Sequence, residues 1–180
     1  MEDKRKLNLF AVLFVGLFAS ICVCLLAIVF LQGQTNVWQD IEIMADIIAC
    51  AIALIYLIEG YTKDNYKKYK LFMIVTTINA LAVTVLSLGE KSPIISLVMC
   101  GAAFVVMYLL TFSKDFGRKN SCICCGILVV IRLAGLISNL AMGNNNLTNI
   151  ILFVSQLSLA ILVCTAVYAK YVDKAARGRD

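Results

Sequence analysis

Long apolar stretches alternate with short polar segments along the whole chain. The apolar stretches cover residues 8–31, 41–60, 70–89, 93–113, 121–142 and 147–169. Each has roughly 20 residues, and at a rise of about 1.5 Å per residue a helix of that length crosses the hydrocarbon core of a bilayer. The pattern predicts an all-α protein, in which residues 1–180 form a single domain of six transmembrane helices.

The composition favours a membrane protein over a soluble one. Hydrophobic residues make up 62% of the chain and the mean hydropathy is +0.91, whereas soluble domains contain about 45–50% apolar residues. Six spans and their short loops use nearly all 180 residues, so we expect no soluble domain beside them. The first stretch follows a basic start, as a signal peptide does, but it is too long for one and lacks a small-residue cleavage pattern. We interpret it as a retained helix.

Basic residues lie in four clusters near the ends of the apolar stretches. The clusters fall within residues 4–6, 63–70, 114–119 and 170–179, and they hold fourteen of the sixteen Lys and Arg residues. Because cytoplasmic loops carry the excess of Lys and Arg, both termini and every second loop are predicted to face the cytoplasm. We expect a multi-pass protein of the cell membrane whose basic inner face binds anionic lipid headgroups rather than nucleic acid.

A few polar side chains lie deep within the predicted spans, where an ionisable group costs several kcal/mol unless it has a partner. Counted at about 1.5 Å per residue from the outer helix ends, Asp46 lies roughly 9 Å deep and Arg132 roughly 15 Å deep. Asn79 and Gln156 lie near the depth of Arg132 by the same count. Asn139 shares a helix face with Arg132. These five residues form a predicted ligand-binding layer in the outer half of the bundle.

Two main interpretations of this layer stay open. In the structural interpretation, Asp46 and Arg132 form a buried ion pair that, with Asn79 and Gln156, determines which helices are neighbours. In the functional interpretation, the layer lines a cavity open to the outside, and the planar guanidinium of Arg132 binds an anionic or polar small molecule. A third is that Arg132 extends alone towards the membrane surface.

Little in the sequence indicates catalysis. The chain has no histidine, which excludes a Ser–His dyad, a histidine-ligated metal and proton transfer through an imidazole. Glu59 and Asp64 lie near the inner membrane surface, where lipid chemistry takes place, but a single carboxylate beside basic residues is typical of a solvated loop. We expect no catalytic residue, no metal site and no cofactor. A membrane lipid enzyme is therefore the least favoured of three functional hypotheses.

In size and layout the chain resembles the substrate-binding subunits of energy-coupling-factor vitamin transporters. The resemblance rests on six predicted spans, short loops and a cytoplasmic N-terminus. The small-residue motif of that family is matched on the first span only by the spacing of Gly16, Ser20 and Cys24, without its alanines. The resemblance implies a small substrate-binding or transport subunit that works with a separate membrane or ATPase partner. The alternative is a membrane scaffold or sensor module that has no small-molecule ligand.

Overall fold

Five α-helices form the part of the chain that this computed structural model describes, which is residues 37–59, 65–89, 94–113, 116–141 and 147–177. The helices are α1 (Val37–Glu59), α2 (Asn65–Gly89), α3 (Ile94–Phe112), α4 (Arg118–Ala141) and α5 (Leu147–Arg177). No strand occurs within these residues. The all-α prediction is therefore confirmed for the described part of the chain.

The five helices coincide with the last five of the six predicted apolar stretches. The largest difference is at the end of α5, which continues to Arg177 although the apolar stretch was predicted to end at residue 169. The added residues include Lys174, Ala175 and Ala176, and Lys and Ala are strong helix formers, so the helix extends past the apolar segment. The first predicted span, 8–31, lies outside the described residues.

Four of the helices are long and apolar enough to cross a membrane. The segments are Tyr66–Leu88, Ile94–Phe112, Arg118–Ser138 and Ile150–Tyr171, with 19 to 23 residues and mean hydropathies of 2.2 to 2.5. Segments of this length and composition indicate a membrane protein. The count of six spans and the cytoplasmic location of both termini stay predictions.

Each helix packs against the next one along the chain, and α5 also contacts α1 and α2. Among the four candidate spans, α5 and α2 have the largest buried shares of their apolar segments, at 50% and 39%. Large apolar side chains such as Ile94, Val98 and Val130 are exposed on the outer surface. Such a surface is expected where lipid rather than water surrounds the helices.

Small side chains on α1 permit its close approach to the neighbouring helices. Ala49 and Ala53 are fully buried and lie on the same face of α1 as Asp46, at spacings of three and seven residues. Small residues on a helix face reduce the distance between helix axes and bring polar groups of facing helices within hydrogen-bonding range. The packing of α1 therefore places Asp46 against the centre of the bundle.

Aromatic and basic side chains join three helices at the end of the bundle that is predicted to face the cytoplasm. The Nζ atom of Lys170 on α5 lies 4.9 Å from the ring centre of Tyr69 on α2 and 5.5 Å from that of Tyr171. The hydroxyl of Tyr171 donates a 2.8 Å hydrogen bond to the backbone oxygen of Phe116. It also lies 2.9 Å from the hydroxyl of Ser121 on α4. These contacts hold the ends of α2, α4 and α5 together.

Candidate functional site

Asp46 on α1 is 1% exposed, and both of its carboxylate oxygens accept hydrogen bonds. Its Oδ1 atom accepts a 2.7 Å bond from Nδ2 of Asn79 on α2. Its Oδ2 atom accepts a 2.9 Å bond from the hydroxyl of Ser155 on α5. A single buried carboxylate therefore links three helices.

Glu42, one turn before Asp46, continues this set of contacts. Its Oε1 atom accepts a 2.7 Å bond from Nε2 of Gln156, and its backbone oxygen accepts a 3.2 Å bond from Nδ2 of Asn79. Glu42 and Gln156 are both 5% exposed. We refer to the five side chains joined in this way as the acid–amide network, which consists of Glu42, Asp46, Asn79, Ser155 and Gln156.

The carboxylates determine how the two amide groups are oriented. The backbone oxygen of Glu42 can only accept a hydrogen bond, so the NH₂ group of Asn79 faces this oxygen and Oδ1 of Asp46. The NH₂ group of Gln156 donates to Oε1 of Glu42 in the same way. The opposite ends of these amides, Oδ1 of Asn79 and Oε1 of Gln156, are buried and have no hydrogen-bond partner among the described residues. Both residues line the same small cavity. The network therefore leaves two acceptor atoms beside that cavity.

Arg132 on α4 lines this cavity as well and is 9% exposed. Its guanidinium lies against the thiol of Cys100 on α3 and interacts electrostatically with Glu42 and Asp46. Within the described part of the chain, no hydrogen bond or ion pair joins Arg132 to Asp46, whose oxygens bond to Asn79 and Ser155 instead. In place of the direct ion pair of the structural interpretation, the amide of Asn79 and the hydroxyl of Ser155 contact Asp46.

The cavity lies between α2, α3, α4 and α5 and has a volume of about 10 Å³. A cavity of that size holds one water molecule. The hydroxyl of Thr76, a further lining residue, donates to backbone oxygens of its own helix at 2.9 and 3.1 Å. The remaining walls are apolar and consist of Ala80, Met107, Leu128, Leu159, Ala160 and Val163. The polar atoms that can contact an occupant are therefore few and are concentrated on Arg132 and the two amides.

The structure brings four of the five predicted layer residues to one place, since Asp46 contacts Asn79, and Asn79 lines the cavity with Arg132 and Gln156. The fifth, Asn139, belongs to α4, but its side chain lies outside the described residues. In the described ranges no group of three or more Cys, Asp or Glu side chains has an arrangement that holds a metal ion.

Glu42 and Ser155 belong to the network although the sequence did not select them as ligand-binding residues. A signal for Glu42 was present in its four-residue spacing from Asp46, which places both carboxylates on one helix face. Ser155 had no such signal, because a single serine in an apolar helix most often bonds to its own backbone.

Comparisons with protein-family models, curated proteins and solved structures give no match for this chain. The fold and the geometry around Arg132 are therefore the basis for a functional assignment. The described part of the chain is an all-α membrane bundle in which a buried acid–amide network lies beside a cavity lined by Arg132.

Proposed function

We propose that this protein is a substrate-binding or transport-type membrane subunit that binds a small polar solute at Arg132. The observation that carries the proposal is a cavity lined by the buried Arg132 and by Asn79 and Gln156, whose amide oxygens have no donor among the described residues. A buried polar atom without a partner reduces stability by about 1–3 kcal/mol, so native proteins contain few of them. Two such atoms beside one cationic side chain are expected where a bound molecule completes the hydrogen bonding.

Arg132 has the chemistry that such a site needs. Its guanidinium presents five N–H donors in a planar fork, which matches the two oxygens of a carboxylate or phosphate. The apolar walls of the cavity, such as Met107, Leu128 and Val163, exclude water and strengthen an electrostatic contact with a ligand. Because Asp46 takes its hydrogen bonds from Asn79 and Ser155, the fork of Arg132 is not used by that carboxylate.

The basic clusters predict how the subunit lies in its membrane. We place it in the cell membrane as a multi-pass protein with both termini in the cytoplasm, because the basic clusters lie on alternate loops. Its inner face contacts anionic lipid headgroups through these clusters. Transport against a gradient requires an energy source, which a separate membrane or ATPase partner supplies.

The test is a thermal-stability screen of the purified protein in detergent with anionic and zwitterionic metabolites and vitamins. A solute that binds the folded state raises the melting temperature in proportion to the logarithm of its concentration over its Kd. We expect at least one solute to stabilise the wild type and to lose most of that effect in Arg132→Lys, which keeps the charge and removes the fork. Arg118→Lys, at the exposed start of the same helix, is the matched control and keeps the effect.

A membrane scaffold or sensor module is the second candidate, and the volume of the cavity favours it. Space for one water molecule is far below the 300–1,000 Å³ of typical ligand pockets, so a larger solute has to separate the helices. In a scaffold the acid–amide network only fixes the arrangement of α1, α2 and α5. If the protein is a scaffold, no solute should stabilise the wild type, and Arg132→Lys should have little effect on the melting temperature.

A further inference from the structure

The orientation of the two amides determines which chemical groups fit the cavity. Both protons of the Asn79 amide nitrogen are engaged, one by Oδ1 of Asp46 and one by the backbone oxygen of Glu42. If the amide turned over, its oxygen would face the oxygens of those residues, and like charges would repel. Asn79 therefore presents only an acceptor to the cavity, and the bond from Nε2 of Gln156 to Glu42 imposes the same orientation on Gln156.

An anion that has no hydrogen-bond donor leaves the two amide oxygens beside this cavity unpaired. It accepts hydrogen bonds from Arg132, but it brings a negative charge towards Oδ1 of Asn79 and Oε1 of Gln156 and gives them no donor. A site with buried acceptors discriminates against ligands that lack the matching donor, because those acceptors stay unpaired in the complex. The occupant therefore has to donate hydrogen bonds to the amides as well as accept them from the guanidinium.

The volume of the cavity limits the donor to one small group. About 10 Å³ holds a single water molecule and therefore one hydroxyl or ammonium group. Arg132, at 9%, retains the largest exposed fraction of the lining residues. A ligand therefore reaches the cavity beside Arg132, with its donor group inside and its remaining atoms along the guanidinium.

Resting on the proposed function, we propose that the solute is a small hydroxy- or amino-carboxylate. Its carboxylate accepts hydrogen bonds from Arg132, while its hydroxyl or ammonium group enters the cavity and donates to Oδ1 of Asn79 and Oε1 of Gln156.

The experiment compares acetate, glycolate and glycine, which share a two-carbon carboxylate and differ in the group on the second carbon. Thermal-shift titrations of the purified protein in detergent give an apparent Kd for each. We expect glycolate or glycine to bind at least about tenfold more tightly than acetate, the effect of one hydrogen bond in a buried site.

Variants then test whether the amide oxygens cause the preference. Gln156→Met keeps the length of the side chain but removes the oxygen, so we expect it to reduce the preference for glycolate or glycine over acetate severalfold. Ser158→Ala is the matched control, because Ser158 is buried on the same helix but does not line the cavity, and the preference should be unchanged. The comparison of the three ligands on the wild type stands by itself if Gln156→Met does not fold.

The outcomes separate this inference from the proposed function. If acetate binds as tightly as glycolate and glycine, or if only solutes of another class stabilise the protein, the hydroxy- or amino-carboxylate assignment is wrong while a solute site at Arg132 stands. An unchanged preference in Gln156→Met also overturns the assignment. If neither these three compounds nor any solute of the wider screen stabilises the wild type, the proposed function fails and the assignment fails with it.

Discussion

The amide nitrogen of Asn79 lies 2.7 Å from Oδ1 of Asp46 and donates a hydrogen bond to it, so the direct partner of the buried acid is a neutral group on the neighbouring helix. This arrangement provides both carboxylate oxygens of Asp46 with neutral donors on α2 and α5. It also leaves the guanidinium of Arg132 next to the cavity. The contact between Asp46 and Asn79 is therefore the feature that separates the structural part of the layer from the part proposed to bind a ligand.

The stability of the protein should depend on this contact. We expect Asp46→Leu and Asn79→Leu to lower the free energy of unfolding by about 2–4 kcal/mol each, because each leaves a buried polar group without its partner. The double variant should lose less than the sum of the two, since neither group is then left behind. Unfolding in detergent, followed by circular dichroism, measures the three losses. Strictly additive losses would show that the two side chains do not interact.

A second double-mutant cycle, which combines Asp46→Leu with Arg132→Leu, should give a smaller coupling energy than the cycle that combines Asp46→Leu with Asn79→Leu. Arg132 interacts electrostatically with Asp46 but forms no direct hydrogen bond or ion pair with it within the described residues. Side chains in contact commonly couple by 0.5–3 kcal/mol, and the value falls with distance. The same unfolding measurement serves both cycles. A larger coupling for Asp46 with Arg132 than with Asn79 contradicts the arrangement described here.

The sequence predicted the helices and the residues of the layer but not the contacts among them. An apolar run of some 20 residues determines a helix in a membrane almost by itself, so α1 to α5 were predictable. The rise and periodicity of an α-helix are fixed, so the position of a residue in its span predicts its depth in the membrane and its helix face. These two quantities predicted that four residues lie in one layer, namely Asp46, Asn79, Arg132 and Gln156. The partner of Asp46 was not predictable, since it depends on how each helix is rotated about its axis against its neighbours.

The hydroxyl of Tyr171 should stabilise the end of the bundle opposite the predicted layer. Tyr171→Phe removes the bonds to the backbone of Phe116 and to Ser121, so we expect a loss of about 1 kcal/mol in the free energy of unfolding. Tyr168→Phe is the control, because Tyr168 lies on the same helix and is 50% exposed. Equal effects of the two variants on the melting temperature would argue against the proposed role of Tyr171.

The predicted orientation is testable by cysteine labelling in cells. In a background with the native cysteines replaced by alanine, Asn145→Cys should react with a membrane-impermeant maleimide from outside. Asp173→Cys should react only after the membrane is permeabilised, because fourteen of the sixteen basic residues lie on the side assigned to the cytoplasm. The reverse pattern of labelling would invert the topology.

The central claim is that Arg132 binds a small polar solute, and native mass spectrometry tests it most directly. The wild type, Arg132→Lys and Arg118→Lys are purified in detergent, exposed to the same mixture of small carboxylates and vitamins, and compared by the fraction of protein that carries an added mass. We predict a ligand adduct on the wild type and on Arg118→Lys, and little or none on Arg132→Lys. The absence of an adduct on all three proteins, or equal occupancy on all three, would contradict the claim and favour the scaffold.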